Sequence, residues 1–281
     1  MRGVYLRVKP IAGSCGAEVS GVDVSQDLDD QTIGDIRQVL LDHGVIFFRD
    51  QALTASAHKA FARRFGQIFV HPNFKDLGTD NEIVEIRRTP GDHAIVGEEW
   101  HCDTTMMEAP PMGAILYGVE VPPYGGDTLF ASMVHAHDAL SEKMKDLLRT
   151  LRCVHSDHKV AGPAAARNAK RSVKVREDAD WRPTVNLHPV VRTHPETGRK
   201  SLFINRAYCH RFENMTEEES APLLGFLFRH AERPEFTCDF RWRNGSIAFW
   251  DNRRTHHIAV NDAGPFFRHV RRVQIAGERP V

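Results

Sequence analysis

The sequence has few cysteines, no net charge and no long apolar run, and each shortage excludes something. Its five cysteines, Cys15, Cys102, Cys153, Cys209 and Cys238, are odd in number and scattered. They lack any C-x-x-C spacing, which argues for reduced thiols in a cytosolic protein rather than a disulfide framework or a zinc site. Basic and acidic residues balance at 37 each, so nothing favours nucleic acid or an anionic membrane surface as a partner. No apolar stretch approaches membrane-spanning length, and residues 1–7 hold no sustained hydrophobic segment of a leader. The expectation is a soluble, cytoplasmic protein without nucleic-acid or membrane partners.

What is present is length and β-like punctuation. A chain of 281 residues can bury a large core, and β-rich folds commonly run this long as one unit, so a single domain over 1–281 is expected. Residues 27–43 read as a helix: Ile33, Ile36, Val39 and Leu40 share a face and Gly44 ends it. Val45 to Phe48 reads as a buried strand, and Thr54 caps a helix that runs to Phe65. Beyond Met112, short β-like runs fall at 113–121, 128–131, 151–155, 187–193, 201–205, 236–243, 246–250 and 267–275. Two helices interrupt them. One covers 141–149 behind Ser141; the other follows Thr216, which forms a capping box with Glu219, and ends before Pro234. Many short strands with Gly and Pro turns point to a sandwich or barrel. Residues 161–183 lack periodicity; a solvated surface loop and a mobile lid are both open readings, since long loops in compact domains are often functional.

The chemistry concentrates in His101-Cys102-Asp103 and the distant His257. Two histidines and one carboxylate can occupy one face of an octahedral metal and leave the opposite face open. The i, i+2 spacing of His101 and Asp103 would put both on one face of a strand. An H-x-D tripeptide alone is weak evidence in a chain with 16 histidines. The string Trp250-Asp251-Asn252-Arg253-Arg254-Thr255-His256-His257, followed by Arg268 and Arg272, is far more specific. His256 and His257 compete for the third ligand position, because adjacent strand residues face opposite ways.

These motifs resemble the Fe(II)/2-oxoglutarate dioxygenases of the taurine dioxygenase and chlorophenoxyacetate dioxygenase family. The likeness runs from about Gly16 to Pro280 and rests on W-H-x-D at His101, G-G-D-T at 125–128, L-H-P-V-V-R-T-H-P at 187–195, W-D-N with T-x-H, and the terminal arginines. Arg87-Arg88, 172–175 and Tyr208-Cys209 look closest to the bacterial aryloxyalkanoate (phenoxypropionate-type) enzymes. The resemblance implies a mainly β fold with flanking helices, a double-stranded β-helix or jelly roll. It implies Fe(II), 2-oxoglutarate and O₂, and hydroxylation of a small anionic substrate with release of succinate and CO₂. The substrate expected is an aryloxyalkanoate-type carboxylate or a sulfonate, with another carboxylate or a sulfate ester as the alternative. It selects His257 as third ligand beside His101 and Asp103, leaving His256 behind the site or exposed. Asp103 favours hydroxylation, since related halogenases carry a small residue there.

The family register assigns Arg268 and the Thr128 hydroxyl to the distal carboxylate of 2-oxoglutarate, and guanidinium suits a carboxylate bidentately. Trp250 would line the same pocket. Thr128 by itself would read as an ordinary turn-exit threonine, and Trp250 as a core tryptophan. Arg272, four residues beyond Arg268 and on the same strand face, would meet the substrate anion, with Arg271 turned outward. Two inward arginines beside a metal would be costly unless both meet anions. His71, Phe74, Thr104 and Tyr208 complete the expected substrate pocket, and Gly97 stands where the taurine enzymes carry an amide. Lys75, Arg87, Arg88 and His93 would add charge at its mouth or simply be solvated. His155, His158, His188 and His194 have no coherent ligand spacing with the triad; His188 and His194 read as structural strand-end residues. Family members are often dimers or tetramers, so a homo-oligomer is expected. Two other classes fit a His-Asp-His set: a metal-dependent hydrolase, which leaves Arg268 and Thr128 unexplained, and a non-catalytic cupin-like anion binder, which would bind ligand without releasing succinate.

Overall fold

The computed structural model describes residues 6–74 and 80–281. A large sheet runs, in spatial order, through Arg7–Pro10, Ala17–Ser20, Val45–Phe48, Ile247–Asp251, Gly113–Glu120, Arg268–Ile275 and Ile68–Phe69, with Val84–Arg88 also paired to Arg268–Ile275. Facing it is a smaller sheet of Thr237–Phe240, Thr128–Ser132 and Thr255–Ala259. Beyond lie Cys209–Phe212, Arg152–Ser156 and Val185–Pro189 in a three-stranded sheet, and the pair Val191–Thr193 with Lys200–Leu202. The architecture is the expected mainly β fold with flanking helices.

The central strands of the large sheet read almost continuously apolar because both of their faces are covered. On one face Val45, Phe47, Ala114, Leu116, Ala248, Trp250 and Val270 pack against Phe130 and Phe240 of the smaller sheet. Phe47 stacks on Phe240 with centroids 4.0 Å apart. The alternate residues Ile46, Phe48, Ile115, Tyr117, Ile247, Phe249, Val273 and Ile275 meet Ile33, Ile36 and Leu40 of the first helix and Phe61 of the second. The period of two thus sorts one core between the sheets and another under the helices. Each large apolar side chain so buried contributes roughly 1.5–3 kcal/mol. The same alternation sends Arg268 and Arg272 inward, on either side of Val270, into the space between the sheets.

The helices are bounded by their caps. The first is Asp30–His43, beginning later than the hydrophobic spacing suggests because the Asp29 carboxylate caps Thr32 N. Gly44 ends it at φ 75°, and a Cβ there would come within 2.9 Å of Thr255 Oγ1. The second is Ala55–Arg63 behind Thr54. Glu142–Arg149 is capped by Ser141, and Glu217–Ala231 opens on the expected Thr216–Glu219 capping box. The run expected at 187–193 is two strands, because Val190 bonds Leu151 and Phe203 and so switches partners between them.

One buried ion network ties the end of Ile247–Asp251 to its surroundings. The fully enclosed Asp251 carboxylate accepts from His194 at 2.9 Å and from Arg253 at 2.8 and 2.7 Å; Arg253 also donates to Glu196. Burial alone would raise the Asp251 carboxyl, but Arg253 and His194 hold it well below the usual range. Its contribution is therefore present above the ordinary carboxyl pKa of about 4 and is lost as pH falls through the depressed folded value. Asp251→Asn should cost about 3–5 kcal/mol in urea unfolding, since it leaves the buried Arg253 with only the part-exposed Glu196 as counter-ion. The variant should also lose less stability than the parent between neutral pH and acid.

Candidate active site

The site is built where the loop 97–104 meets the strand Thr255–Ala259. His101 N donates to His257 O at 3.0 Å and His257 N returns to His101 O at 2.8 Å. Sequence spacing suggested a strand through His101 and Asp103. Instead His101 forms a single bridge and the chain then turns, with Thr104 at φ 44°. The turn brings the ligands together: His101 Nε2 and His257 Nε2 each lie 3.9 Å from Asp103 Oδ1, closer than same-face side chains two apart on an extended strand. Upstream, Gly97 accepts Ala259 N and runs at φ 84°; a Cβ there would press to 3.1 Å from His101 Cε1.

The electrostatics suit a divalent cation. His101 Nδ1 bonds Glu99 O at 2.7 Å. A carbonyl only accepts, so Nδ1 carries the proton and the Nε2 lone pair faces Asp103. Burial pushes both His101 and His257 below the ordinary imidazole range, so both are neutral donors at pH 7. Burial would raise the Asp103 carboxyl, yet Arg272, His257 and His101 hold it below its usual value. Two neutral imidazoles and a carboxylate on one side of an otherwise open chamber fit Fe(II) or a similar divalent metal.

Two positively charged ends flank this centre. At one, Thr128, Trp250, His257, Arg268 and Arg272 line a common cleft with Ile86, Val96, Gly97, His101, Leu116, Ala259 and Val270. Trp242 Nε1 donates to Thr128 Oγ1 at 3.0 Å, which leaves the threonine hydroxyl proton free to donate. The Arg268 guanidinium lies 5.6 Å from the Trp242 ring, and burial pushes its pKa down to about 10. At the other end, Arg272 Nη1 donates to Asp103 Oδ1 at 3.0 Å. Among the described residues, Arg268 Nε and Arg272 Nε and Nη2 meet no hydrogen-bond partner. These N–H groups, on arginines that line the cleft, retain the capacity to donate to an anion.

His71, Phe74, Tyr208 and Arg272 line the second chamber with His101 and Asp103. Asn73 N donates to His71 Nδ1 at 3.1 Å, so His71 keeps its proton on Nε2. Burial, then the Arg272 charge, lowers its pKa to about 3. Thr104 is buried beside Asp103 but lines neither chamber. His256 is buried and faces away from the triad. Arg271 does point to the outer face, yet it is only part-exposed, donating to Leu53 O over the Tyr117 ring. Arg88 is committed to Phe266 O and Gly264 O, and Arg87 to Glu85. Lys75 lies outside the described residues.

The segment 161–183 roofs the second chamber. Gly162–Lys170 winds as a 3₁₀ helix, and Val175 bridges Phe74. His93 N and Ala94 N donate to Lys170 O, and Arg167 pairs with Glu98 and Glu99. Ala164, Arg167, Arg171 and Val175 contribute to the chamber wall.

A second donor group, Cys153, His155 and Cys209, converges in the core. Cys209 Sγ sits 3.6 and 3.4 Å from the two ring nitrogens of His155, nearly equidistant and so off either lone-pair axis, and Nδ1 is already bonded to Thr105. That is thiol packing on a ring, not a metal centre.

With this geometry in place, the family profile described as taurine catabolism dioxygenase TauD, TfdA family matches residues 7–274. The chain belongs to the TauD/TfdA family. It is 36% identical over 281 residues to an alpha-ketoglutarate-dependent sulfate ester dioxygenase of Pseudomonas putida, covering 98% of this chain and 91% of that one. It is 35% identical over 260 residues to the (S)-phenoxypropionate/alpha-ketoglutarate-dioxygenase of Sphingobium herbicidovorans, covering 90% and 88%. A crystal structure of a taurine dioxygenase from Burkholderia xenovorans superposes with a TM-score of 0.82 at 36% identity, covering 98% of this chain and 91% of that one.

Sequence reasoning did not single out Trp242, which orients Thr128, or Asn73, which sets the His71 tautomer. A lone indole before the Asn244-Gly245 turn reads as ordinary core, so no local signal marked it. For this TauD/TfdA family member, Asp103→Ala should weaken Mn(II) binding by at least a hundredfold in titration calorimetry of the folded variant. Equal affinity in the variant would remove the carboxylate from the metal set.

Proposed function

We propose that the protein is an Fe(II)- and 2-oxoglutarate-dependent dioxygenase whose prime substrate is a small organic anion, an organosulfate or organosulfonate before an aryloxyalkanoate. The observation that carries this reading is the pairing of a buried His-Asp-His set with two separate inward arginines, Arg268 and Arg272, on one strand. Bound by His101, Asp103 and His257, Fe(II) supplies the O₂-dependent oxidation that couples 2-oxoglutarate decarboxylation to substrate hydroxylation.

The chain's own residues divide the remaining work. Arg268 and the Thr128 hydroxyl, held by Trp242, bind the distal carboxylate of 2-oxoglutarate, with Trp250 closing the apolar wall. Arg272 and the His71 Nε2–H bind the substrate anion. A neutral N–H donor beside a guanidinium spreads donors over a tetrahedral head with three oxygens, and the sulfate ester dioxygenase of Pseudomonas putida supports that choice. Phe74, Tyr208 and Val175 offer apolar surface to the substrate body. The roof at 161–183 acts as a lid that keeps water out, supported by its contacts with both 73–74 and 93–94. Hydroxylation at a carbon bearing sulfate oxygen would let the product collapse to an aldehyde and inorganic sulfate. On the family resemblance alone, the enzyme is taken to be a cytoplasmic dimer or tetramer.

The test is succinate release by Fe(II)-loaded protein with 2-oxoglutarate and O₂, across alkyl sulfates, sulfonates and aryloxyalkanoates. Alkyl sulfates or sulfonates should stimulate release most. Stimulation by aryloxyalkanoates alone would reverse the order of substrates, and no succinate under any condition would overturn the dioxygenase reading. Arg268→Ala should raise the KM for 2-oxoglutarate on the order of ten- to a hundredfold, the loss of hydrogen bonds to a charged group. Arg272→Ala should act mainly on the prime substrate. Both variants shifting both KM values equally would undo the division between the two ends.

A further inference from the structure

Asn252 lies directly behind the metal set, and its contacts show what it does there. Trp250 Nε1 reaches Asn252 Oδ1 at 2.9 Å. An indole N–H can only donate, so the oxygen of the Asn252 amide is fixed on the Trp250 side by chemistry rather than by choice of rotamer. Its Nδ2 then faces Asp103 Oδ2, 3.4 Å away, and the Asp103 backbone N approaches Asn252 Oδ1 at 3.4 Å. The two carboxylate oxygens of Asp103 are thereby made unequal. Oδ2 is turned to an amide donor. Oδ1 is the oxygen 3.9 Å from both histidine Nε2 atoms and 3.0 Å from Arg272 Nη1.

Asn252 is itself clamped. Its N donates to Met112 O at 2.8 Å, and its carbonyl accepts from the Cys102 thiol at 2.8 Å. Its neighbour Asp251 is locked by Arg253 and His194. Asn252 is 2% exposed and Trp250 1%, so both are enclosed by the surrounding chain.

We infer that Asn252 is a positioning residue, oriented by Trp250, that holds the Asp103 carboxylate with Oδ1 alone presented to the two imidazoles. This rests on the reading of His101, Asp103 and His257 as the metal set, and it gives the W-D-N string a physical purpose. Asp251 anchors the turn, Trp250 sets the amide and Asn252 sets the carboxylate. Groups that orient a metal ligand from behind typically account for ten- to a hundredfold in metal affinity.

The test measures Mn(II) affinity of the full chain by electron paramagnetic resonance of the free ion, with thermal melts alongside. Asn252→Leu, which keeps the volume and removes donor and acceptor, should weaken Mn(II) binding ten- to a hundredfold. Trp250→Phe, which leaves Asn252 in place but releases its amide, should weaken binding several-fold. The double variant should bind no more weakly than Asn252→Leu, because Trp250 acts through Asn252; a merely structural pair would instead show independent losses. If Asn252→Leu fails to fold, Trp250→Phe still decides: parental affinity there overturns the inference. So does parental affinity in a folded Asn252→Leu, or full additivity in the double variant. A parent chain that binds no Mn(II) would instead remove the metal reading itself.

Discussion

The reciprocal backbone hydrogen bonds between His101 and His257 join two parts of the chain far apart in sequence. One is a loop between two turns, and the other is a strand of the smaller sheet. The bridge places both imidazoles side by side, centroids 4.1 Å apart. The turn after Cys102 then carries Asp103 back onto them. The groups of the site are arranged about that carboxylate. Arg272 reaches it from the large sheet and Asn252 from behind, and burial keeps the two histidines beside it neutral.

Burial of charge is the cost the fold must offset, and it does so in two ways. Asp251 and Glu196 share Arg253, His194 donates to Asp251 and Arg37 completes the pairing of Glu196, and the network so stabilises the turn that delivers His257. Arg268 and Arg272 are different, since part of their donor capacity meets nothing among the described residues. A network satisfied internally is architecture, whereas unsatisfied guanidinium groups facing a chamber are binding capacity. The two kinds of buried arginine sit within a few strands of each other, and only their partners tell them apart.

Much of this was legible in the linear chain. The strands beyond Met112, the Thr216 capping box and the Gly44 stop follow from local chemistry, and the structure keeps them within a few residues. The even spacing of Arg268 and Arg272 around Val270 carried correctly to one inward face. The strand drawn through His101 and Asp103 was wrong, because a period of two describes an extended chain and not a bridge followed by a left-handed residue. Thr104 shows the limit of adjacency: it neighbours a ligand yet is not among the residues lining either chamber. Trp242 and Asn73 were silent, since their roles lie in one hydrogen bond each to a residue more than a hundred positions away or across a turn.

By itself, then, the sequence determined the donor types, their family context and the faces of individual strands. These depend on residue identity and on periodicities shorter than a turn. The meeting of His101 with His257, the inequality of the Asp103 oxygens and the roof at 161–183 were decided only in the tertiary structure. Each is set by contacts between segments that the sheet order brings together, and no local rule in the sequence encodes that order.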